Sequence, residues 1–70
     1  MPSTAIKDHE YDPDLRQLTI TFVTGRIYAY FDVPLDVADG LEHASSKGAY
    51  FNQYIRERYA FHEIAPPDLK

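Results

Sequence analysis

Seventy residues without a cysteine make one domain that has neither a disulfide nor a thiolate metal site to hold it together. Six tyrosines and four phenylalanines must therefore build much of the core, each ring burying roughly 150–250 Å². A net charge of −4 is a poor footprint for a nucleic-acid backbone, and no apolar run approaches the ~18 residues of a spanning helix. No charged start leads into an apolar stretch, so no signal peptide and no membrane partner are expected, and a cytoplasmic protein is.

The domain is read over residues 1–70, with a core of about 3–64 and a flexible tail at 65–70, where Pro66 and Pro67 stop regular structure. Residues 4–11 suit a first strand anchored by Ile6 and Tyr11. Asp12-Pro13-Asp14 is turn chemistry: proline presets φ, and the aspartates bond nearby amides. Residues 18–23 alternate, with Leu18, Ile20 and Phe22 on one face and Thr19, Thr21 and Val23 on the other, the period of a half-buried strand. Thr24-Gly25 turns the chain into a third strand from Arg26 to Val33.

Two registers fit that hairpin. A two-residue turn pairs Phe22 with Ile27 and sends Tyr28 and Tyr30 to the threonine face. A turn bulged at Gly25 sets Tyr28 beside Phe22 and Tyr30 beside Ile20, and leaves Ala29 outside. The bulged form is preferred because it puts large rings against large apolar residues. The choice matters, since rings on a sheet can stack on unpaired bases only if they are not filling the core.

Pro34 suits a helix start, and Val37, Leu41 and Ala44 recur at helical spacing. Gly40 weakens that helix by about 1 kcal/mol relative to alanine. Ser45 or Ser46 then caps a second helix, expected to run to about Tyr59. The expected fold class is α+β: a three-stranded antiparallel β-meander followed by two α-helices packed on one sheet face (β-β-β-α-α).

The second helix falls in the one basic island of the chain. Residues 1–44 hold three basic and eight acidic side chains, whereas residues 45–59 hold three basic and one acidic. On a 100° wheel, Phe51 and Ile55 face the core, flanked by Tyr54 and Tyr59, while Gly48, Asn52, Arg56 and Tyr59 form a row along one edge. Arg58 lands in the apolar arc, where its stem covers rings and its guanidinium can reach free carbonyls. The row has two readings: it ties the helix to the sheet, or Ser46, Lys47 and Gly48 hold an anion at a helix N-terminus with Arg56 assisting. His9, His43 and His62 have no metal-ligand spacing, and no catalytic constellation or cofactor site is visible, so an enzyme is not expected.

Together these residues resemble the KTSC domain, named after the C-terminal domain of some lysyl-tRNA synthetases and found also as short bacterial and phage proteins. The resemblance spans about residues 3–61. Its Y-x-Y motif matches Tyr28 and Tyr30, followed by Val33-Pro34. Its helical motif matches Ser46, Gly48, Phe51, Asn52, Ile55 and Arg56, with Tyr59 beyond. It implies a non-enzymatic binding module without cofactor or metal. The synthetase association implies RNA of tRNA type as ligand, with Lys47, Asn52, Arg56, Arg58 and Tyr59 as the nucleic-acid-binding set. The alternative is a protein-interaction or self-association domain, as a monomer or weak homodimer.

Overall fold

A computed structural model of the chain describes residues 5–64. The expected start of the first strand at Thr4 and the expected tail at 65–70 lie outside the described residues. Four strands and two helices follow in chain order: β1 (Ile6–Asp12), β2 (Gln17–Phe22), β3 (Ile27–Tyr30), α1 (Leu35–His43), α2 (Lys47–Tyr54) and β4 (Phe61–Ile64). The sheet order is β1-β2-β3-β4, and every neighbouring pair is antiparallel. The expected order of three antiparallel strands and two helices is found, and a fourth strand, which was not expected, returns after the helices and pairs with β3.

The β1–β2 turn is built by Asp12, whose Oδ1 accepts from the backbone amides of Asp14 (3.0 Å) and Leu15 (3.3 Å). Ile6 and Tyr11 lie five residues apart, an odd spacing that a regular strand sends to opposite faces. Both nonetheless pack on the core, because the register shifts between Ile6 and Asp8. The β2–β3 connection spans residues 23–26. Gly25 N–H donates to the Phe22 carbonyl (2.9 Å), Phe22 N–H donates to the Arg26 carbonyl (2.9 Å), and Gly25 takes φ +95°. The preferred face is correct, but the direct partners move by two residues: Tyr30 opposes Leu18 and Tyr28 opposes Ile20. Phe22 still meets Tyr28 diagonally, edge to face at 5.7 Å. Ala29 lies on the face away from the core, as expected, but is buried rather than exposed, flanked by Thr19 and His62 on the neighbouring strands.

Both helices pack on the face that carries Leu18, Ile20 and Tyr30. They contribute Ala38 and Leu41 from α1, and Phe51 with Ile55 from the end of α2. Leu18, Ile20, Val33, Leu41 and Ile55 are fully buried, each worth ~1.5–3 kcal/mol of hydrophobic transfer. Tyr11 secures the α1 entrance by donating its hydroxyl to the Val33 carbonyl (2.6 Å). Gly40 has a packing role that spacing did not reveal. A Cβ there would lie 2.7 Å from Tyr50 Cζ, and Tyr50 crosses it to donate its hydroxyl to the Val37 carbonyl (3.0 Å).

The second helix is shorter than expected. It ends at Tyr54 with Ile55 as its C-cap, not at Tyr59. Ile55 and Arg56 amides both donate to the Phe51 carbonyl (3.0 and 2.8 Å), and Glu57 enters the left-handed region at φ +63°. Neither glycine nor proline forces this stop. It frees Ala60 to accept from the Phe31 amide (2.9 Å), and residues 61–64 to pair the otherwise open edge of β3.

Candidate nucleic-acid interface

The residues read as a basic ridge are placed by α2 and the turn after it, and most are engaged within the fold. Ser46 is the N-cap, its Oγ accepting from the Ala49 amide at 3.3 Å. Lys47 turns back toward α1 and donates to the Glu42 and Ala44 carbonyls (3.3 and 3.4 Å), so its charge sits at the negative end of α1. Gly48 follows in the first turn of α2 and is half-buried. Arg58 Nε donates to the Gln53 carbonyl (3.0 Å), the carbonyl contact that its position suggested. Phe51 and Tyr59 pack on the core, whereas Tyr54 is 47% exposed and lies tilted against Tyr50 with ring centroids 4.7 Å apart. Asn52 Oδ1 accepts from Arg56 Nη1 (3.2 Å), and both residues are exposed.

The structure assembles a different set beside this ridge. Tyr28, Tyr30 and Phe61 form an aromatic group across β3 and β4. Phe61 lies 5.5 Å from each tyrosine ring, and the tyrosines are stacked at 6.4 Å. Phe51 closes Tyr30 from the helix side at 5.5 Å. Tyr30 is therefore 5% exposed, and burial pushes its phenol up to about 12, with the Arg56 charge acting the other way. Phe61 is 54% exposed, since α2 ends before it can cover β4. Two guanidinium groups act on the group electrostatically, Arg56 on the Tyr30 hydroxyl and Arg26 on Tyr28. Arg26 is held charged by Tyr28 and Glu63, with Nη1 3.1 and 3.3 Å from the Glu63 carboxylate oxygens.

Sequence reasoning found Tyr28, Tyr30 and Arg56 but missed Phe61, because without β4 there was no strand to put that ring beside Tyr30. The available signal was short: Phe61 and Ile64 bounding four residues before Pro66.

Elsewhere, charge and geometry are less suited to an anionic ligand. A polar cleft at the β1–β2 end is lined by Glu10, Tyr11, Asp12, Pro13, Gln17 and Thr19, and its two carboxylates oppose phosphate. His9 Nε2 meets Glu42 Oε1 at 2.9 Å, tying β1 to α1 and holding the Glu42 carboxyl below the usual carboxylate range. Among the described residues no group of His, Asp or Glu could hold a metal ion, and no helix is long and apolar enough to cross a membrane.

Comparison with known proteins places this geometry among relatives. Residues 2–59 match the KTSC domain family. A lysine–tRNA ligase of Nostoc sp. is 40% identical over 60 residues, covering 86% of this chain and 11% of the ligase. The corresponding ligase of Nostoc punctiforme is 37% identical over 62 residues. The chain thus spans about a ninth of the length of these ligases. A short protein of Tsukamurella paurometabola is 37% identical over 57 residues and is covered to 85%. The crystal structure of a KTSC domain protein from Yersinia pestis superposes with a TM-score of 0.83 at 33% identity, covering 93% of this chain and 92% of that one.

Proposed function

We propose, on the premise that the chain belongs to the KTSC domain family, that it is a small non-enzymatic, cytoplasmic module that binds RNA. The observation that carries the reading is the Tyr28–Tyr30–Phe61 group, with one ring open to solvent and the charges of Arg26 and Arg56 acting on its tyrosines. Aromatic rings offer stacking surfaces to bases, and guanidinium groups pair with phosphate. Relatives named lysine–tRNA ligases carry a stretch like this chain as a ninth of their length, which suits a module that adds grip on tRNA. The binding surface of this reading is centred on Arg56 and the β3–β4 rings rather than on the start of α2, since Lys47 and Ser46 serve helix ends.

A protein partner, or a second copy of the chain, meeting the same exposed ring is the second reading. Phe61 favours it as an apolar side chain left half open. Fluorescence anisotropy with a labelled single-stranded RNA separates the two. The RNA reading expects binding at low salt that weakens as salt rises, because phosphate contacts release counterions. Absence of binding at low salt overturns it, and concentration-dependent sedimentation then supports self-association.

A further inference from the structure

Resting on that reading, we infer that the RNA bound here is unpaired, with a base stacked on the open face of Phe61, and that stacking rather than charge supplies most of the affinity. Three observations lead to this. First, the shelf is preorganised. Phe61 pairs with Tyr30 across the β3–β4 ladder, and its ring is backed by Tyr28 and Tyr30, both at 5.5 Å. Tyr30 is in turn held by Phe51 on the helix side. One side of Phe61 is therefore fixed by packing, and the rest of the ring faces water.

Second, cationic charge at the shelf is sparse. Arg26 is already paired with Glu63, which leaves Arg56, hydrogen-bonded to the neutral amide of Asn52, as the less neutralised guanidinium. A duplex is gripped by rows of cations along its phosphates, and a chain of net charge −4 is a poor footprint for that grip. One or two phosphate contacts on a single strand give a log–log salt slope of only about −0.7 to −1.4. Third, duplex bases present edges, not faces. A ring flush with a sheet edge can stack only on a base that is already unstacked, as in a loop or a single strand. The family match ends at residue 59, two residues before β4 begins, so the ring that carries this inference lies beyond the matched segment.

The experiment compares a mixed-sequence RNA 12-mer with the same strand annealed to its complement. Anisotropy is measured on the full chain, its Phe61→Leu, Arg56→Gln and Lys47→Gln variants, over a salt series. The single strand is expected to bind about tenfold or more tightly than the duplex, with a shallow slope near −1. Phe61→Leu keeps the apolar cover but removes the stacking face, and loses about tenfold in affinity at an unchanged Tm. Arg56→Gln loses a few-fold and flattens the slope, while Lys47→Gln leaves both unchanged. Equal binding of duplex and single strand, or undiminished binding by Phe61→Leu, overturns the stacking inference while RNA binding stands. No binding of any RNA at low salt overturns the RNA reading itself.

Discussion

Phe51 and Phe61 are ten residues apart, and each ring lies 5.5 Å from that of Tyr30, yet the first is 2% exposed and the second 54%. Phe51 also meets Phe22 at 5.4 Å and closes the seam between α2 and the sheet. Among the described residues, the rings that Phe61 meets are the tyrosines of β3. The same contact with the same partner is core at one end of the face and surface at the other. What decides is where α2 stops. The helical half is sealed, and the β4 half keeps a ring supported from behind and open in front, an arrangement suited to a ligand.

The comparison can be broken by substitution. Phe51→Ala should cost about 3–5 kcal/mol, a large part of the stability of so small a domain, and thermal denaturation should show it mostly unfolded near room temperature. Gly40→Ala attacks the closed half from α1. The gain in helix propensity is outweighed because the new Cβ displaces Tyr50 and its hydrogen bond to Val37, so a net loss of about 1 kcal/mol is expected by denaturant titration. Tyr50→Phe, which removes only that bond, should cost less than the glycine change.

Glu57→Gly probes the turn that creates the open half. Glutamate at φ +63° is strained and glycine is not, so stability should rise by about 1 kcal/mol and Tm by roughly 4–8 °C. The phenol of Tyr30 sharpens the contrast by titration. Its folded pKa of about 12 lies above the ordinary value near 10. Its contribution to stability is therefore complete below pH 10, and is lost as pH rises toward 12. Absorbance titration of the phenolates should find one tyrosine ionising near pH 12. Phe61→Leu, which leaves the helix-side cover of Phe51 in place, should move that titration little.

Much of this architecture was legible from short-range chemistry. Asp12-Pro13-Asp14 announced its turn, Gly25 its bulged hairpin, and Leu18, Ile20 and Phe22 the buried face of β2, because those choices are made by neighbouring residues. The end of α2 was not legible. No breaker stands between Phe51 and Tyr59. The helix stops because pairing the free edge of β3 wins over continued helix, a preference set by residues thirty positions away. The helical wheel therefore ran past the real C-cap. The turn at Glu57 takes Tyr59 out of the row, while Arg56 keeps its bond to Asn52, and Phe61 has no strand in that reading. Lys47 and Ser46 were found as residues of note, but spacing alone could not tell that their polar atoms serve helix ends. The contact of His9 with Glu42 was not legible either, because it joins β1 to α1 across thirty-three positions of sequence.

The most direct test is a ¹H–¹⁵N shift map of the domain titrated with single-stranded RNA at low salt. The division into a sealed and an open half predicts that the perturbed amides cluster on Tyr28, Arg56 and residues 60–63. Perturbations confined to residues 46–53, or none at all, would contradict it.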